Sequence, residues 1–395
     1  MTTPAAQVTS PSPTVDEAPK RRRRYRRWVI GVVAFVLLLA IADAGAGWYF
    51  SNQVLDLDQP SYPVRVLAVE GQTVTLSRDS STERPIPIGL SWAGGHAVLD
   101  GRVRVDGDRV VRNVVDVSSG SLATGLHVGL DTGVYDGDPK AVRSLDFTTV
   151  QVPGELGDLP AWFVPSPNGE VSSDTWVVAV HGRGGSREEA LRILPTLAEM
   201  GLPTLVISYR NDAGAPASPD HWYHLGDSEW HDVDAAVAYA QANGAHRVIL
   251  YGWSMGGGMV LTALRRMAAA QVSAVKAVVL DSPVVDWSAT LDLQASHRHL
   301  PGGLTWTAER IAEWRAGFDF DALDQLRYAD ELNVPILLFV DLADSTVPVE
   351  PALRLADARP DLIKVVTTAG GDHTGSWNAD PAAYQIAVRE FLSAS

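Results

Sequence analysis

Apolar and polar positions change rhythm three times along the chain. Residues 28–50 come first, an apolar run whose only charged residue is Asp43. A helix of that length rises about 34 Å against a hydrocarbon core of about 30 Å, so the run predicts one membrane-crossing helix. From 61 to 143 short stretches alternate apolar with polar residues, as in Val64-Arg65-Val66-Leu67 and Val103-Arg104-Val105, the period of half-buried strands. Asp100-Gly101, Asp106-Gly107 and Asp136-Gly137 read as hairpin turns, which together predict a small β-rich domain. Past residue 144 the segments become short and almost wholly apolar, with helical stretches between them. Strands are expected at 147–152 and 160–165, and then at 176–180, 204–208, 248–251, 277–280, 336–340 and 363–367. Apolar strands alternating with helices predict an α/β class, a mostly parallel sheet covered on both faces. One such helix shows Val233, Val237 and Ala240 on one face, Asp232 and Asp234 in its first turn and Gly244 after its end.

Charge sharpens the picture at the N-terminal end. The net −15 is a sum of two opposed populations. Residues 1–50 hold seven cations (Lys20, Arg21 to Arg24, Arg26, Arg27) against three acids, a balance of +4, so the remainder carries −19. Cations directly before an apolar run stay cytoplasmic, and Trp28, Trp48 and Tyr49 match aromatic belts at its two ends. The expected order is a disordered basic cytoplasmic tail (1–27), a signal-anchor helix (28–50) and a polar linker (51–60), in a single-pass protein of the cell membrane. A cleaved signal peptide is the competing reading, with 29–42 as its apolar region and Ala42-Asp43-Ala44 as its cleavage site. Either way residues 51–395 lie outside the cytoplasm. Their acidic balance argues against a nucleic-acid partner.

Composition limits the chemistry that remains. A length of 395 residues, 46% of them apolar and 20% charged, suits two or three globular units. The absence of cysteine excludes disulfides, thiolate metal sites and a thiol nucleophile, which leaves oxygen and imidazole chemistry. No P-loop, H-E-x-x-H or dinucleotide fingerprint is present, so no cofactor or metal is expected.

Gly252-Trp253-Ser254-Met255-Gly256 follows the strand at 248–251 and precedes a helix-forming stretch. That is G-x-S-x-G in a strand–turn–helix context, with glycines permitting a sharp turn that lifts a serine hydroxyl over the sheet edge. A serine hydroxyl needs a general base, and the base needs an orienting carboxylate. Both appear in the order this architecture uses. Asp344 follows the strand at 336–340, and His373 follows that at 363–367 within Gly371-Asp372-His373-Thr374-Gly375. Asp341 is the rival acid, closer to its strand, and Asp372 reads as a loop residue. Oxyanion donors are expected from the N–H of Met255 and, in His181-Gly182-Arg183-Gly184-Gly185, from the N–H of Arg183. His181 reads as a brace for that loop. His96 and His127 read as surface or packing histidines.

From 144 to 395 these ordered motifs resemble the α/β-hydrolase superfamily of serine hydrolases. They are especially similar to secreted or membrane-anchored actinobacterial members related to the serine aminopeptidase and prolyl oligopeptidase-like branches. Ser208-Tyr209-Arg210-Asn211-Asp212 adds to the likeness; in such relatives the arginine and asparagine tie loops together near the site. Val340-Asp341 departs from it, standing where many relatives carry His-Gly. The resemblance implies a small helical cap at about 284–332, over the serine. Trp287, Trp306 and Trp314 there either line an acyl pocket or pack the cap on the sheet. The activity implied is hydrolysis of an ester or related acyl bond through an acyl-enzyme, with a small-molecule acyl substrate or a peptide as partner. A serine peptidase and a non-catalytic membrane-anchored scaffold are the alternatives. Oligomeric state is not legible in the sequence.

Overall fold

The computed structural model describes Met1, residues 18–166 and residues 174–395, with side chains from residue 22 in the N-terminal helix. Most of the tail expected at 1–27 lies outside the described residues; its described end is helical.

A single helix, Ala18–Leu55, covers the cation run, the apolar run and the first half of the expected linker. It is long and apolar enough to cross a membrane. Its side chains between residues 30 and 45 are exposed, whereas Gly47, Ser51, Val54 and Leu55 are buried against the folded body. The linker expected at 51–60 is therefore helical as far as Leu55. Its polar residues have partners: Arg315 Nη1 donates to Ser51 Oγ at 2.7 Å and to Asn52 Oδ1 at 2.6 Å.

Six strands then close into a barrel: β1 Val64–Glu70, β2 Thr73–Ser77, β3 Ile88–Trp92, β4 Gly95–Asp106, β5 Arg109–Ser119 and β6 His127–Asp131, in the order β1-β2-β5-β4-β3-β6. Alternate residues such as Val64, Val66, Val74, Leu76, Leu90 and Leu99 point inward and form its core. Closure removes the sheet edges that a small open sheet would expose. Of the expected turns, Asp106-Gly107 connects β4 to β5. Asp100-Gly101 instead lies inside β4 where the register shifts, because the backbone there passes close to Pro85, and Asp136-Gly137 lies in the loop after β6. Arg112 is fully buried and donates to the carbonyls of Thr82, Ile86 and Asp100; burial pushes its pKa down to about 10.

The remaining eight strands form one sheet: β7 Thr148–Gly154, β8 Gly157–Val164, β9 Thr175–Val180, β10 Thr204–Ile207, β11 Arg247–Trp253, β12 Val275–Asp281, β13 Ile336–Asp341 and β14 Ile363–Thr368. Their order is β14-β13-β12-β11-β9-β10-β8-β7; β9 to β14 run parallel, with β7 and β8 antiparallel at one edge. Every residue of β9 and β13 is buried, which is why their sequence shows no alternation. Helices Trp230–Ala242 and Ser254–Arg266 cover one face, and Leu194–Glu199 with Pro381–Ala394 cover the other. Two cap helices, Trp287–His297 and Gly302–Ala316, rise between β12 and β13.

Candidate active site

Ser254 sits where β11 breaks into its helix, with a left-handed φ of 50°. That strain is bearable only because the surrounding turn is built for it. A Cβ on Gly256 would stand 2.3 Å from the Val180 carbonyl oxygen, so β9 and the turn approach as closely as they do only with glycine there.

His373 Nε2 lies 2.8 Å from Ser254 Oγ, and His373 Nδ1 lies 2.8 Å from Asp344 Oδ2. The other Asp344 oxygen accepts from the N–H groups of Thr346 and Val347, at 2.9 and 2.8 Å, which aims the carboxylate. Asp341 does a different job: its buried carboxylate accepts from the Gly371 and Ala343 N–H groups and from Thr368 Oγ1, knitting the ends of β13 and β14 together. Burial opposes protonation of His373, but the Asp344 hydrogen bond and charge, with Glu189 and Asp281 further off, outweigh it and raise its pKa.

The loop after β9 is pinned from several sides. His181 Nε2 meets Asp212 Oδ2 and Nδ1 meets the Gly182 carbonyl, both at 2.8 Å, while the ring stacks on Tyr209. This is the bracing role read from the motif. Gly182 N–H donates to Glu189 Oε2, Gly184 N–H to Tyr223 Oη and Gly185 N–H to the Gly182 carbonyl. Across 182–185, among the described residues, the Arg183 N–H is the one with no such partner. The Met255 N–H occupies the first turn of the helix Ser254–Arg266, where no intrahelical acceptor exists. Arg210 pairs with buried Asp232 and with Glu155, and Asn211 holds Ser218 and Trp222, so both tie loops together.

Two cavities meet at Ser254, His373 and Arg183. One, of about 350 Å³, runs under the cap and contains Trp287 in its wall. Trp306 and Trp314 do not line it. They are 64% and 76% exposed on the outer side of Gly302–Ala316, and the Trp314 ring lies tilted against Trp48 of the N-terminal helix, with centroids 6.4 Å apart. Thr305 and Ala308 of the same helix face the cavity instead, so its inward stripe is small and polar-apolar and its tryptophans face out. The other cavity, of about 580 Å³, is lined mainly by polar residues and glycines and lies between the post-β9 loop and the barrel.

Several site-shaping residues carry no sequence signal. Glu189 and Arg192 read as part of a charged run. Yet Arg192 is buried, meets Glu189 and donates to the Thr374 carbonyl and Asn378 Oδ1, joining the segment after β9 to the histidine loop. The barrel side adds Thr132, whose Oγ1 donates to the His373 carbonyl at 3.2 Å, and Arg84, paired with Asp372. Asp372 also accepts from Ser345 N–H at 2.7 Å, so it bridges the barrel and the Asp344 loop. Asn378 reaches back to the carbonyls of Pro87 and Thr132. Phe50, Gln53, Val54 and Asp58, from the helix and linker stretch, line the cap cavity. His96 is buried beside Ser118 and His127 is exposed.

Residues 192–387 match the prolyl oligopeptidase family, and residues 65–131 match a family described as a domain of unknown function (DUF8805). No curated protein matches. Among solved structures, the esterase Pf2001 of Pyrococcus furiosus is 21% identical, over 66% of this chain and 94% of that one, with a TM-score of 0.52. A second crystal form gives 0.53 at the same identity and coverage. Est1E of Butyrivibrio proteoclasticus, solved with ferulic acid bound, is 20% identical over 62% of this chain and 97% of that one, with a TM-score of 0.48. The eight-stranded sheet and its helices have the α/β-hydrolase fold.

Proposed function

We propose that this protein is a membrane-anchored serine esterase. Ser254 Oγ attacks the ester carbonyl while His373 Nε2 takes its proton, and Asp344 holds the imidazole and stabilises its cation. The N–H groups of Met255 and Arg183 receive the oxyanion, each worth about 3–4 kcal/mol to the transition state. His373 then protonates the departing alcohol, and water deacylates Ser254 by the reverse sequence. The observation that carries this reading is the continuous contact Asp344–His373–Ser254, 2.8 Å at each link. A fluorophosphonate probe should label the wild type and leave Ser254→Ala unlabelled; equal labelling of both would sink the assignment.

Peptide hydrolysis is the second reading, favoured by the match to the prolyl oligopeptidase family over 192–387. Turnover of p-nitrophenyl esters against aminoacyl p-nitroanilides separates the two. Retention of the N-terminal helix, rather than cleavage after Ala44, is supported by the burial of Gly47, Ser51, Val54 and Leu55 against the catalytic body. Immunoblotting of membrane fractions with an N-terminal tag should find the tag on the full-length chain.

A further inference from the structure

The cap cavity is walled on one side by the helix that reads as the anchor. Phe50 and Val54 of that helix line it together with Trp287, Leu291, Leu304 and Ala308 of the cap, and Ser254 is also in its wall. The helix is held there by specific contacts. Arg183 Nη2 donates to the Gln53 and Asp56 carbonyls at 3.1 and 3.0 Å, capping the helix C-terminus, and its Nε lies 3.1 Å from Asp58. The residue offering a free backbone N–H beside Ser254 thus has its side chain fastened to the end of the apolar helix.

The direction of the cap helix is informative. Thr307 Oγ1 donates to Asp43 Oδ2, and Arg315 meets Ser51 and Asn52, so Gly302–Ala316 runs parallel to the N-terminal helix. Its own N-terminus therefore points back toward the exposed apolar run. Leu304 stands three residues before Thr307, about 4.5 Å further in that direction, and Leu300 precedes it; both line the cavity. Trp306, Trp314, Trp48 and Tyr49 are all exposed around this junction. Exposed tryptophan and tyrosine at the end of an apolar span form the belt that sits at headgroup level. A soluble surface has no use for this concentration of bare aromatics beside the mouth of a cavity.

We propose that the cap cavity takes the fatty acyl chain of a lipid ester drawn from the bilayer that the N-terminal helix crosses, with the aromatic cluster seating the cavity mouth at the headgroup level. This rests on the esterase reading above. The second cavity, which shares Ser254, His373 and Arg183 with the first, then receives the alcohol portion. In its wall Arg183 is paired with Asp58, and Asp131, Asp136, Glu188 and Glu189 leave an acidic balance that disfavours an anionic headgroup and suits an uncharged polyol. Both cavities fall within the size range of small-molecule sites. The apolar one admits an acyl chain and the polar one a glycerol-sized alcohol, so the ester carbonyl comes to lie at the serine between them.

The test uses the full-length protein in phosphatidylcholine vesicles. Its probes are p-nitrophenyl acetate, p-nitrophenyl decanoate and vesicle-embedded monodecanoylglycerol, with fluorophosphonate labelling to report an intact site. The wild type is expected to prefer decanoate over acetate in kcat/KM and to hydrolyse monodecanoylglycerol. Ala308→Trp and, independently, Leu291→Trp narrow the cavity and are expected to lower the decanoate-to-acetate ratio by roughly tenfold or more while labelling persists. Trp306→Ser with Trp314→Ser is expected to lower turnover of the embedded lipid relative to the same lipid in detergent micelles. A flat chain-length profile in labelled wild type, or a ratio that neither narrowing variant moves, overturns the lipid assignment and leaves the esterase reading standing. Absence of labelling and of turnover on every ester overturns the reading beneath it.

Discussion

The hydrolase sheet and the barrel touch the same loops in different ways. The sheet delivers the groups proposed to react: Ser254 and Asp344 follow strands buried almost throughout, and His373 follows the partly exposed edge strand β14. The barrel sends no side chain to the Ser254–His373–Asp344 contacts and reaches the histidine loop through Thr132, Arg84 and the Pro87 carbonyl. In the proposed reaction one region supplies nucleophile and base, and the other holds the loop that carries the base. Geometry of reacting groups and geometry of their supports should therefore fail by different amounts when broken. That difference is measurable.

The largest effect belongs to the sheet. Ser254→Ala and His373→Ala should each lower kcat on the order of a millionfold, and the double variant should lose little more, because groups acting as a unit are not additive. Esterase kinetics on p-nitrophenyl butyrate check this. If the double loss is the sum of the singles, the two residues do not work as one device.

Next come the two acids. Asp344→Asn should lower kcat about ten-thousandfold, with little change in melting temperature at alkaline pH. Asp341→Asn should do the opposite, since its carboxylate satisfies three donors at the ends of β13 and β14. Such a buried loss costs about 1–3 kcal/mol of stability, read by thermal unfolding, with a much smaller change in kcat. Reversed outcomes would exchange their roles.

The barrel supports should act more gently. Thr132→Val removes a hydrogen bond to the His373 carbonyl, and Arg84→Ala unpairs Asp372. At about 0.5–1.5 kcal/mol for a hydrogen bond, each is expected to lower kcat several-fold while labelling of Ser254 survives. Unchanged kcat in both would reduce the barrel to a neighbour with no part in positioning.

This division also explains what could be read from the sequence. The sheet strands announce themselves as apolar runs, and G-x-S-x-G, Asp344 and His373 follow them at expected stations, so the fold and the three convergent residues are legible. The supports are single long-range hydrogen bonds from ordinary residues. Thr132 and His373 are 241 positions apart, and nothing local marks either end of that contact. The helix running on to Leu55 was hidden for a related reason. Ser51, Asn52 and Gln53 look like a linker because their partners, Arg315 of a cap helix and Arg183 of the loop after β9, are distant in the chain. Trp306 and Trp314 misled in the other direction. Large apolar residues in a cap suggest a pocket wall, but a helix has two faces, and the inward one here carries Thr305 and Ala308. Only the phase of the helix against its neighbours decides which face is inward.

The smallest effect is a shift along the pH axis, and it separates the two regions most sharply. Acyl transfer needs neutral His373, and its pKa is raised because Asp344 outweighs the cost of burial. The rising limb of activity with pH should therefore lie above the ordinary histidine value of about 6.5. In Asp344→Asn the raising hydrogen bond and charge are gone and burial remains, so the limb should move to lower pH; the rate of fluorophosphonate labelling reads it in this slow variant. Stability follows the same linkage. The protonated His373–Asp344 pair stabilises the fold fully below the unfolded value, and that contribution fades as pH rises through the folded one. The gap in melting temperature between wild type and Asp344→Asn should accordingly be widest in mild acid and shrink toward alkaline pH. Thr132→Val touches only the His373 carbonyl, so its limb should coincide with that of the wild type even as kcat falls. A limb displaced in Thr132→Val as far as in Asp344→Asn would mean that the barrel sets the electrostatics of the base as well as its position.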